Sequence, residues 1–180
     1  MNNDIEKILV TEEELKNKIV EIGKQISNDY KDKNPIIVGV LRGSFIFMAD
    51  LVREINIPVT IDFMAVSSYR GTTSTGKIKI EKDLSEDVKD RNVILIEDIL
   101  DTGRTLSYII KMLENRGAKS VNVCSLLVKK ARTEIEVDYK YSGFNIPNEF
   151  VVGYGLDYEE KYRNLKYIGV LKEKIYSKIN

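Results

Sequence analysis

The sequence contains no histidine and only one cysteine, Cys124. Without histidine, a Ser-His-Asp triad, a Cys-His pair and a histidine metal site are all excluded. A single cysteine allows neither an intrachain disulfide nor a multi-cysteine zinc site. Cys124 lies in the apolar run 121–128, which predicts a buried structural thiol. A general base must therefore be a carboxylate, lysine, tyrosine or cysteine, and a metal would be a hard cation such as Mg²⁺ bound through oxygen.

Neither sign of charge is in excess, because 28 basic residues balance 28 acidic ones. A zero net charge argues against attraction to nucleic acid or to an anionic membrane, although a local basic patch would still be compatible with it. No apolar run has the length of a membrane span, and residues 1–4 do not resemble the start of a signal peptide. We therefore expect a cytoplasmic protein that binds neither nucleic acid nor membrane.

Apolar periodicity predicts a single domain in which strands and helices alternate. At 180 residues, 43% of them hydrophobic, the chain is long enough for one well-buried core. Thr11 and Glu14 form a capping box before an apolar helical stripe that ends near Asp29. Short connections between the segments favour a parallel, doubly wound sheet. The predicted strands are 35–41, 59–66, 93–96 and 121–128, and further helices are predicted at 45–55 and 106–113.

Two segments break this alternation. The polar segment 67–77 is rich in serine, threonine and glycine, which is typical of a mobile linker or of a lid. From Tyr139 onward the helical periodicity is lost and aromatic residues become frequent. We predict a core at about 11–138 and a smaller hood, made of about 139–180 with 1–10, that covers the carboxyl edge of the sheet.

The most informative segment is the junction after the predicted strand 93–96. The strand runs into Glu97 and Asp98, and the polar sequence 101–105 precedes the next helix. Open α/β sheets bind ligands at such junctions, where free backbone N–H groups and the helix dipole favour a phosphate. A carboxylate aimed at a phosphate would be repelled, so Asp101 is expected to face another part of the ligand.

The residues at this junction also have simpler interpretations. In extended geometry Glu97 and Asp98 point to opposite sides, so only a ligand lying across the strand end would use both, through two hydroxyl groups or through Mg²⁺. They are equally compatible with solvated acids at the start of a loop. Asp101 or Thr102 could act only as a helix N-cap.

The segment Val93–Leu106 resembles the PRPP-binding signature of the type I phosphoribosyltransferases: a hydrophobic strand, two acids, then D-T-G-x-T. Other segments resemble the hypoxanthine-guanine branch of that family and occur in the family's order. They are Leu41–Ser44, Ser67–Tyr69, Leu126–Lys129, and Phe150–Tyr158 with Arg163. The resemblance implies an α/β protein with the type I phosphoribosyltransferase fold, a twisted and mainly parallel sheet flanked by helices, with a small hood over its carboxyl edge.

The resemblance also implies roles for the residues that would bind PRPP. Glu97 and Asp98 would hold the ribose hydroxyls with a Mg²⁺ nearby, and Asp157 would bind a second Mg²⁺ on the pyrophosphate side. The pyrophosphate would be contacted by Arg163 and by a turn that contains a non-proline cis peptide in the family, formed by Leu41, Arg42 and Gly43. The 5′-phosphate would be surrounded by Asp101, Thr102, Gly103, Arg104 and Thr105.

For the base, the resemblance implies that Asp101 handles the proton at purine N7, which makes it the catalytic residue. Lys129 would contact the 6-oxo group and Phe150 would stack on the ring, with Val151 and Asp157 near the C2 edge. Ser68 and Tyr69 would be the contact residues of the lid. Without the resemblance, Lys129 would be interpreted as a solvated lysine, Phe150 as a core residue, and Asp157 with Arg163 as a loop ion pair.

The implied activity is Mg²⁺-dependent purine salvage, in which PRPP and hypoxanthine, with guanine as a second base, give IMP or GMP and pyrophosphate. Adenine-specific relatives usually have a small residue in place of Asp101, and the Lys129 ammonium can only donate hydrogen bonds, which suits a 6-oxopurine. The resemblance suggests homodimers or homotetramers. The alternatives are a transferase for xanthine or a pyrimidine, and an RNA-binding regulator, which the zero net charge and the lack of a basic stripe disfavour.

Overall fold

The computed structural model describes residues 1–68 and 78–177, and its centre is a six-stranded sheet. The strand order is β4-β3-β2-β5-β6-β7. All neighbours in it are parallel except β3 and β4, which makes this the mainly parallel sheet that the alternating pattern predicts. The strands are β2 (Ile36–Leu41), β3 (Thr60–Ser68), β4 (Ile78–Lys82), β5 (Asn92–Leu100), β6 (Ser120–Val128) and β7 (Tyr141–Asn145).

Helices cover both faces of this sheet. They are α1 (Glu12–Asp29), α2 (Phe45–Glu54) and α3 (Arg104–Asn115). Ile37 and Ile94 face the core shared with α1 and α2, whereas Val38 and Leu95 face the core shared with α3. Strands buried on both faces read as continuous apolar runs, which is why β2 and β5 are recognisable in the sequence. Cys124 is fully buried in the first core and burial raises the pKa of its thiol, which confirms the structural interpretation.

The start of α1 confirms the predicted capping box. The Glu14 N–H donates to the Thr11 hydroxyl at 3.2 Å, and the Thr11 N–H donates to the Glu14 carboxylate at 2.8 Å. These two bonds satisfy backbone donors that the first helical turn cannot satisfy itself. The helix ends at Asp29, as predicted.

A second, antiparallel sheet joins the two ends of the chain. It consists of β1 (Ile5–Val10), β9 (Ile168–Leu171) and β8 (Val151–Val152), in that order. We use the term hood for this sheet and for the loop 153–167 between β8 and β9. The short helix α4 (Glu173–Tyr176) follows β9.

One boundary differs from the prediction. Strand β7 pairs with β6 in the main sheet, with Tyr141 opposite Cys124, although the boundary predicted near residue 138 places these residues in the hood. This strand lies at the edge of the sheet and contains Gly143, so it lacks the continuous apolar run that identifies the central strands.

Of the helices within the described ranges, none combines the length and apolarity that crossing a bilayer requires.

Candidate active site

The loop between β5 and α3 forms one side of the candidate site. Strand β5 continues to Leu100, so Glu97 and Asp98 lie within it rather than after it. Gly103 occupies the N-cap position of α3 with a left-handed φ of 79°, and no side chain caps the helix. Neither Asp101 nor Thr102 is therefore the N-cap, and Arg104 and Thr105 form the first helical turn. The Arg104 N–H donates to the Thr102 hydroxyl at a long 3.5 Å, and the start of α3 otherwise offers backbone N–H groups to an anion.

Glu97 and Asp98 are neighbouring carboxyl groups on β5. One Asp98 oxygen accepts the Ile99 N–H at 2.8 Å, so this carboxylate folds back on its own backbone. The charge of Asp98 acts on the pKa of Glu97, so the two carboxyl groups are close enough to interact, and their predicted orientation towards opposite sides stays a prediction. Burial raises the pKa of both, well above the usual range for Glu97, where the neighbouring Asp98 adds to the effect. Among the described residues, Oε2 of Glu97 is buried without a hydrogen-bond partner.

The turn after β2 reaches this carboxyl pair. The peptide bond between Leu41 and Arg42 is cis, as the resemblance implied. Gly43 lies against the Asp98 carboxylate, and a Cβ atom on Gly43 would overlap Oδ2 of Asp98. The Arg42 guanidinium is largely exposed and donates to Glu160 of the hood at 3.0 Å.

Residues 155–163 of the hood complete this side of the site. The Arg163 guanidinium donates to the Gly155 carbonyl oxygen at 2.7 Å and pairs with Asp157 at 2.9 Å. The second Asp157 oxygen accepts the Glu160 N–H at 3.0 Å. The positive charge of Arg163 also acts on the pKa of Asp98, which it lowers against the effect of burial. The charge of Arg163, which the hood loop holds in place, is thus close enough to act on Asp98.

Asp101 and Lys129 form the opposite side of the site. Lys129 is only 6% exposed, and its Nζ donates to the Glu149 carbonyl oxygen at 2.8 Å. Burial lowers the pKa of Lys129, and the charge of Asp101 opposes that change. Oδ1 of Asp101 is buried, and it has no hydrogen-bond partner within the described residues. An unpaired buried carboxylate oxygen is costly, which points to a ligand as its missing partner.

Phe150 follows the residue to which Lys129 is bonded. Its ring stays 38% exposed, stacks on Tyr176 of α4 at a centroid distance of 4.9 Å, and meets Tyr158 edge to face at 5.6 Å. Val151 is buried at the start of β8 and pairs with Val170. An exposed aromatic ring beside an ammonium group suits a flat heterocycle that has a polar edge.

Two predictions, the lid and the two magnesium sites, stay predictions. Ser68 is the last residue of β3, and Tyr69 with the rest of the predicted lid lies outside the described residues. Within residues 1–68 and 78–177, no three acidic or cysteine side chains converge as a metal cluster. Asp157 is thus not gathered with Glu97 and Asp98 into one set of ligands.

Three residues of this region were missed by the sequence-based reasoning. Arg132 pairs with Asp101 at 3.1 Å, Tyr176 stacks on Phe150, and Glu149 receives the Lys129 ammonium through its carbonyl group. Of these three, only Arg132 could have been suspected from the sequence, because it lies three residues after the predicted site residue Lys129. The contacts of Tyr176 and Glu149 depend on how the hood folds back.

The comparisons with known proteins agree with this geometry. The family model for the phosphoribosyl transferase domain matches residues 7–159. The hypoxanthine-guanine phosphoribosyltransferase of Streptococcus agalactiae serotype V is 52% identical over 179 residues, which cover 99% of each chain. The bifunctional protein TilS/HprT of Listeria monocytogenes serotype 4b is also 52% identical, but the chain spans only 28% of its length. A crystal structure of a hypoxanthine phosphoribosyltransferase from Staphylococcus aureus is similar with a TM-score of 0.94 and 48% identity, covering 98% of this chain and 96% of that one.

Proposed function

The chain belongs to the phosphoribosyltransferase family, and from this premise we propose that it is a purine-salvage enzyme. It transfers the 5-phosphoribosyl group of PRPP to N9 of hypoxanthine, and of guanine, giving IMP or GMP and pyrophosphate. Two groups together carry the proposal: the buried and unpartnered Oδ1 of Asp101, and the buried ammonium of Lys129, on whose pKa the charge of Asp101 acts. Together they offer a proton acceptor for N7 and a hydrogen-bond donor for the 6-oxo group.

PRPP is proposed to lie along the carboxyl end of β5. Its 5′-phosphate binds the backbone N–H groups where α3 begins, at Thr102, Gly103, Arg104 and Thr105. Its ribose hydroxyls bind Glu97 and Asp98. Its pyrophosphate lies between the turn Leu41–Arg42–Gly43 and Arg163. The contact of Gly43 with Asp98 supports this placement, because it brings the proposed pyrophosphate turn next to the proposed ribose-binding carboxylates.

The proposal includes Mg²⁺, and the carboxyl pair fits a divalent cation. Two neighbouring carboxyl groups whose pKa values are raised, one of them with an unpartnered buried oxygen, are groups that a cation would neutralise. Glu97 and Asp98 would hold Mg²⁺ on the ribose side, and Asp157 on the pyrophosphate side. When bound, Mg²⁺ supplies positive charge that stabilises the leaving pyrophosphate.

The base is proposed to stack on the open part of the Phe150 ring, with its 6-oxo group on Lys129 and its C2 edge towards Val151 and Asp157. The N9 lone pair forms the bond to C1′ of the ribose. The C1′–O bond to pyrophosphate breaks, and its electron pair leaves with the pyrophosphate. The proton on N7 passes to the carboxylate of Asp101, so the nucleotide leaves with a neutral purine.

The surrounding protein would protect the positive charge that develops on the ribose. Arg163 is held by Gly155 and Asp157, so it can stabilise negative charge on the pyrophosphate without first being ordered. Exclusion of water would prevent hydrolysis of the oxocarbenium-like sugar. The lid residues Ser68 and Tyr69 are proposed to provide that exclusion.

We extend the proposal to the setting of the enzyme. PRPP and the nucleotide product carry charged phosphate groups and do not cross membranes unaided, so we propose that the enzyme acts in the cytoplasm. We also propose that it forms a homodimer or homotetramer. We also propose that residues 1–180 form one domain, because the hood and the main sheet contribute to one buried core. Light scattering of the purified protein tests the oligomeric state.

The decisive experiment is a product assay with PRPP and a panel of bases, with and without Mg²⁺. We expect nucleotide from hypoxanthine and guanine in the presence of Mg²⁺, little from adenine or uracil, and loss of activity with EDTA. Efficient use of xanthine or uracil instead would overturn the substrate assignment, and no product with any base would overturn the enzyme assignment. Activity that persists in EDTA would overturn the role of Mg²⁺.

A further inference from the structure

Residues 130–135 fold back over the loop that precedes α3. The Glu134 and Ile135 N–H groups both donate to the Thr102 carbonyl oxygen, at 3.1 and 3.0 Å, and the Arg104 side chain pairs with Glu134. Gly103 permits this approach, since a Cβ atom there would overlap the Ile135 carbonyl oxygen. The two segments are therefore held in register by their backbones, and this register brings Arg132 to Asp101.

The two oxygens of Asp101 consequently have different surroundings. Oδ2 lies 3.1 Å from Nη1 of Arg132, whereas Oδ1 is buried and no described residue donates to it. The other cation nearby, Lys129, directs its ammonium to the Glu149 carbonyl oxygen. Oδ1 is thus the oxygen left for a ligand.

We propose that Arg132 is a positioning residue that orients Asp101, so that Oδ1 accepts the N7 proton while Oδ2 stays beside the guanidinium. This inference rests on the proposed function. The guanidinium charge lies 3.1 Å from Oδ2 and attracts this oxygen, so it favours the orientation of the carboxylate that leaves Oδ1 for a ligand. The Arg132 side chain is 53% exposed, so its ion pair adds little to stability and its main effect is on orientation.

The test compares Arg132→Met, which keeps the bulk of the side chain but removes the charge, with Arg132→Lys, which keeps a cation without the planar fork. Lys130→Met is the matched control, because Lys130 is an exposed cation on the same turn. We expect Arg132→Met to lower kcat for hypoxanthine roughly tenfold with KM for PRPP within about twofold, and Arg132→Lys to recover part of the loss. Lys130→Met should match the unaltered protein.

A double variant separates positioning from a merely structural role. If Arg132 acts through Asp101, Arg132→Met should cause no further loss of kcat in an Asp101→Asn background. Independent, multiplicative losses in the double variant would overturn the inference, as would an Arg132→Met enzyme with unchanged kcat. If the proposed function itself were wrong, the unaltered protein would form no nucleotide from hypoxanthine and PRPP. That outcome is distinct from every result that would overturn the role of Arg132.

Discussion

Gly155 of the hood packs against the backbone of Gly43, the last residue of the proposed pyrophosphate turn. A Cβ atom at position 155 would overlap the Gly43 carbonyl oxygen, and the φ of 104° at Gly155 belongs to the left-handed region that favours glycine. The carbonyl oxygen of Gly155 also accepts the Arg163 guanidinium. One glycine therefore sets the distance between the hood and the proposed PRPP side of the site.

Replacing Gly155 with alanine should damage both stability and PRPP binding. We expect a loss of about 1–3 kcal/mol in the free energy of unfolding, from backbone strain and the displaced turn. The KM for PRPP should rise more than the KM for hypoxanthine. Denaturant titration and steady-state kinetics measure the two effects.

Gly117→Ala is the matched control, because Gly117 also has a positive φ, of 84°, but an added Cβ would make only ordinary contacts with Lys89, at 3.4 Å or more. It should lose some stability and keep its KM for PRPP. A normal KM for PRPP in Gly155→Ala would contradict the proposed contact.

Asp101→Asn should leave the fold intact and lower turnover by roughly 100-fold or more, because an amide cannot accept the N7 proton as a carboxylate does. Circular dichroism and kcat for hypoxanthine check the two halves of this prediction. The exposed Asp138→Asn serves as a control for loss of one negative charge. Near-normal turnover of Asp101→Asn would remove Asp101 from its catalytic role.

Lys129→Gln should weaken binding of 6-oxopurines and relax discrimination against adenine. The variant loses a charged donor, a change of about 1.5–3 kcal/mol, so KM for hypoxanthine should rise roughly 10- to 100-fold. An amide can also accept a hydrogen bond from a 6-amino group, so the ratio of adenine to hypoxanthine use should increase. Lys130→Gln, at an exposed position, should change neither. An unchanged base preference would show that Lys129 does not read the 6-position.

Tyr176→Ala should weaken base binding through Phe150. An aromatic stack contributes about 0.5–1.5 kcal/mol, so removal of Tyr176 should raise KM for hypoxanthine about two- to tenfold without changing KM for PRPP. Tyr176→Phe keeps the ring and should behave like the unaltered protein. Equal loss in both variants would mean that the hydroxyl group matters and the stack does not.

Asp62 should make the stability of the fold depend on acidity. Burial alone would raise the pKa of this carboxyl, but the N–H groups of Glu86, Phe63 and Ser85, with the charge of Lys82, hold it below the ordinary value of 3.8. Its stabilising effect is therefore complete above pH 3.8 and is lost as the pH falls through the lower pKa of the folded state.

Asp62→Asn should cost about 2 kcal/mol near neutral pH, and the difference from the unaltered protein should shrink as the pH is lowered towards about 3. Urea unfolding at several pH values measures this difference in the free energy of unfolding. Glu86→Gln is the control, because that side chain is exposed. A difference that stayed constant over this pH range would contradict the ionised state assigned to Asp62.

Local patterns predicted most of the secondary structure. The capping box at Thr11, the apolar runs of β2 and β6 and the amphipathic stripe of α3 each depend on neighbouring residues, so they are legible in the chain. Two boundaries were predicted wrongly: edge strand β7 was assigned to the hood, and β5 was ended before Glu97 although it continues to Leu100. In both segments, pairing with the neighbouring strand rather than the type of residue maintains the extended backbone.

The sequence by itself determined the chemical types in the site: no histidine, two adjacent acids, a hydroxyl and glycine turn before a helix, and a lysine and an aromatic ring further along the chain. The tertiary structure decided their relations. It folded the Asp98 carboxylate onto the Ile99 N–H, placed Arg132 beside one oxygen of Asp101, and stacked Tyr176 on Phe150. The contacts of Arg132 and Tyr176 depend on how residues 130–135 and the C-terminal part of the chain fold back onto the site. The position of the Asp98 carboxylate depends on a hydrogen bond to the neighbouring backbone. The spacing of residues along the sequence specifies none of these contacts.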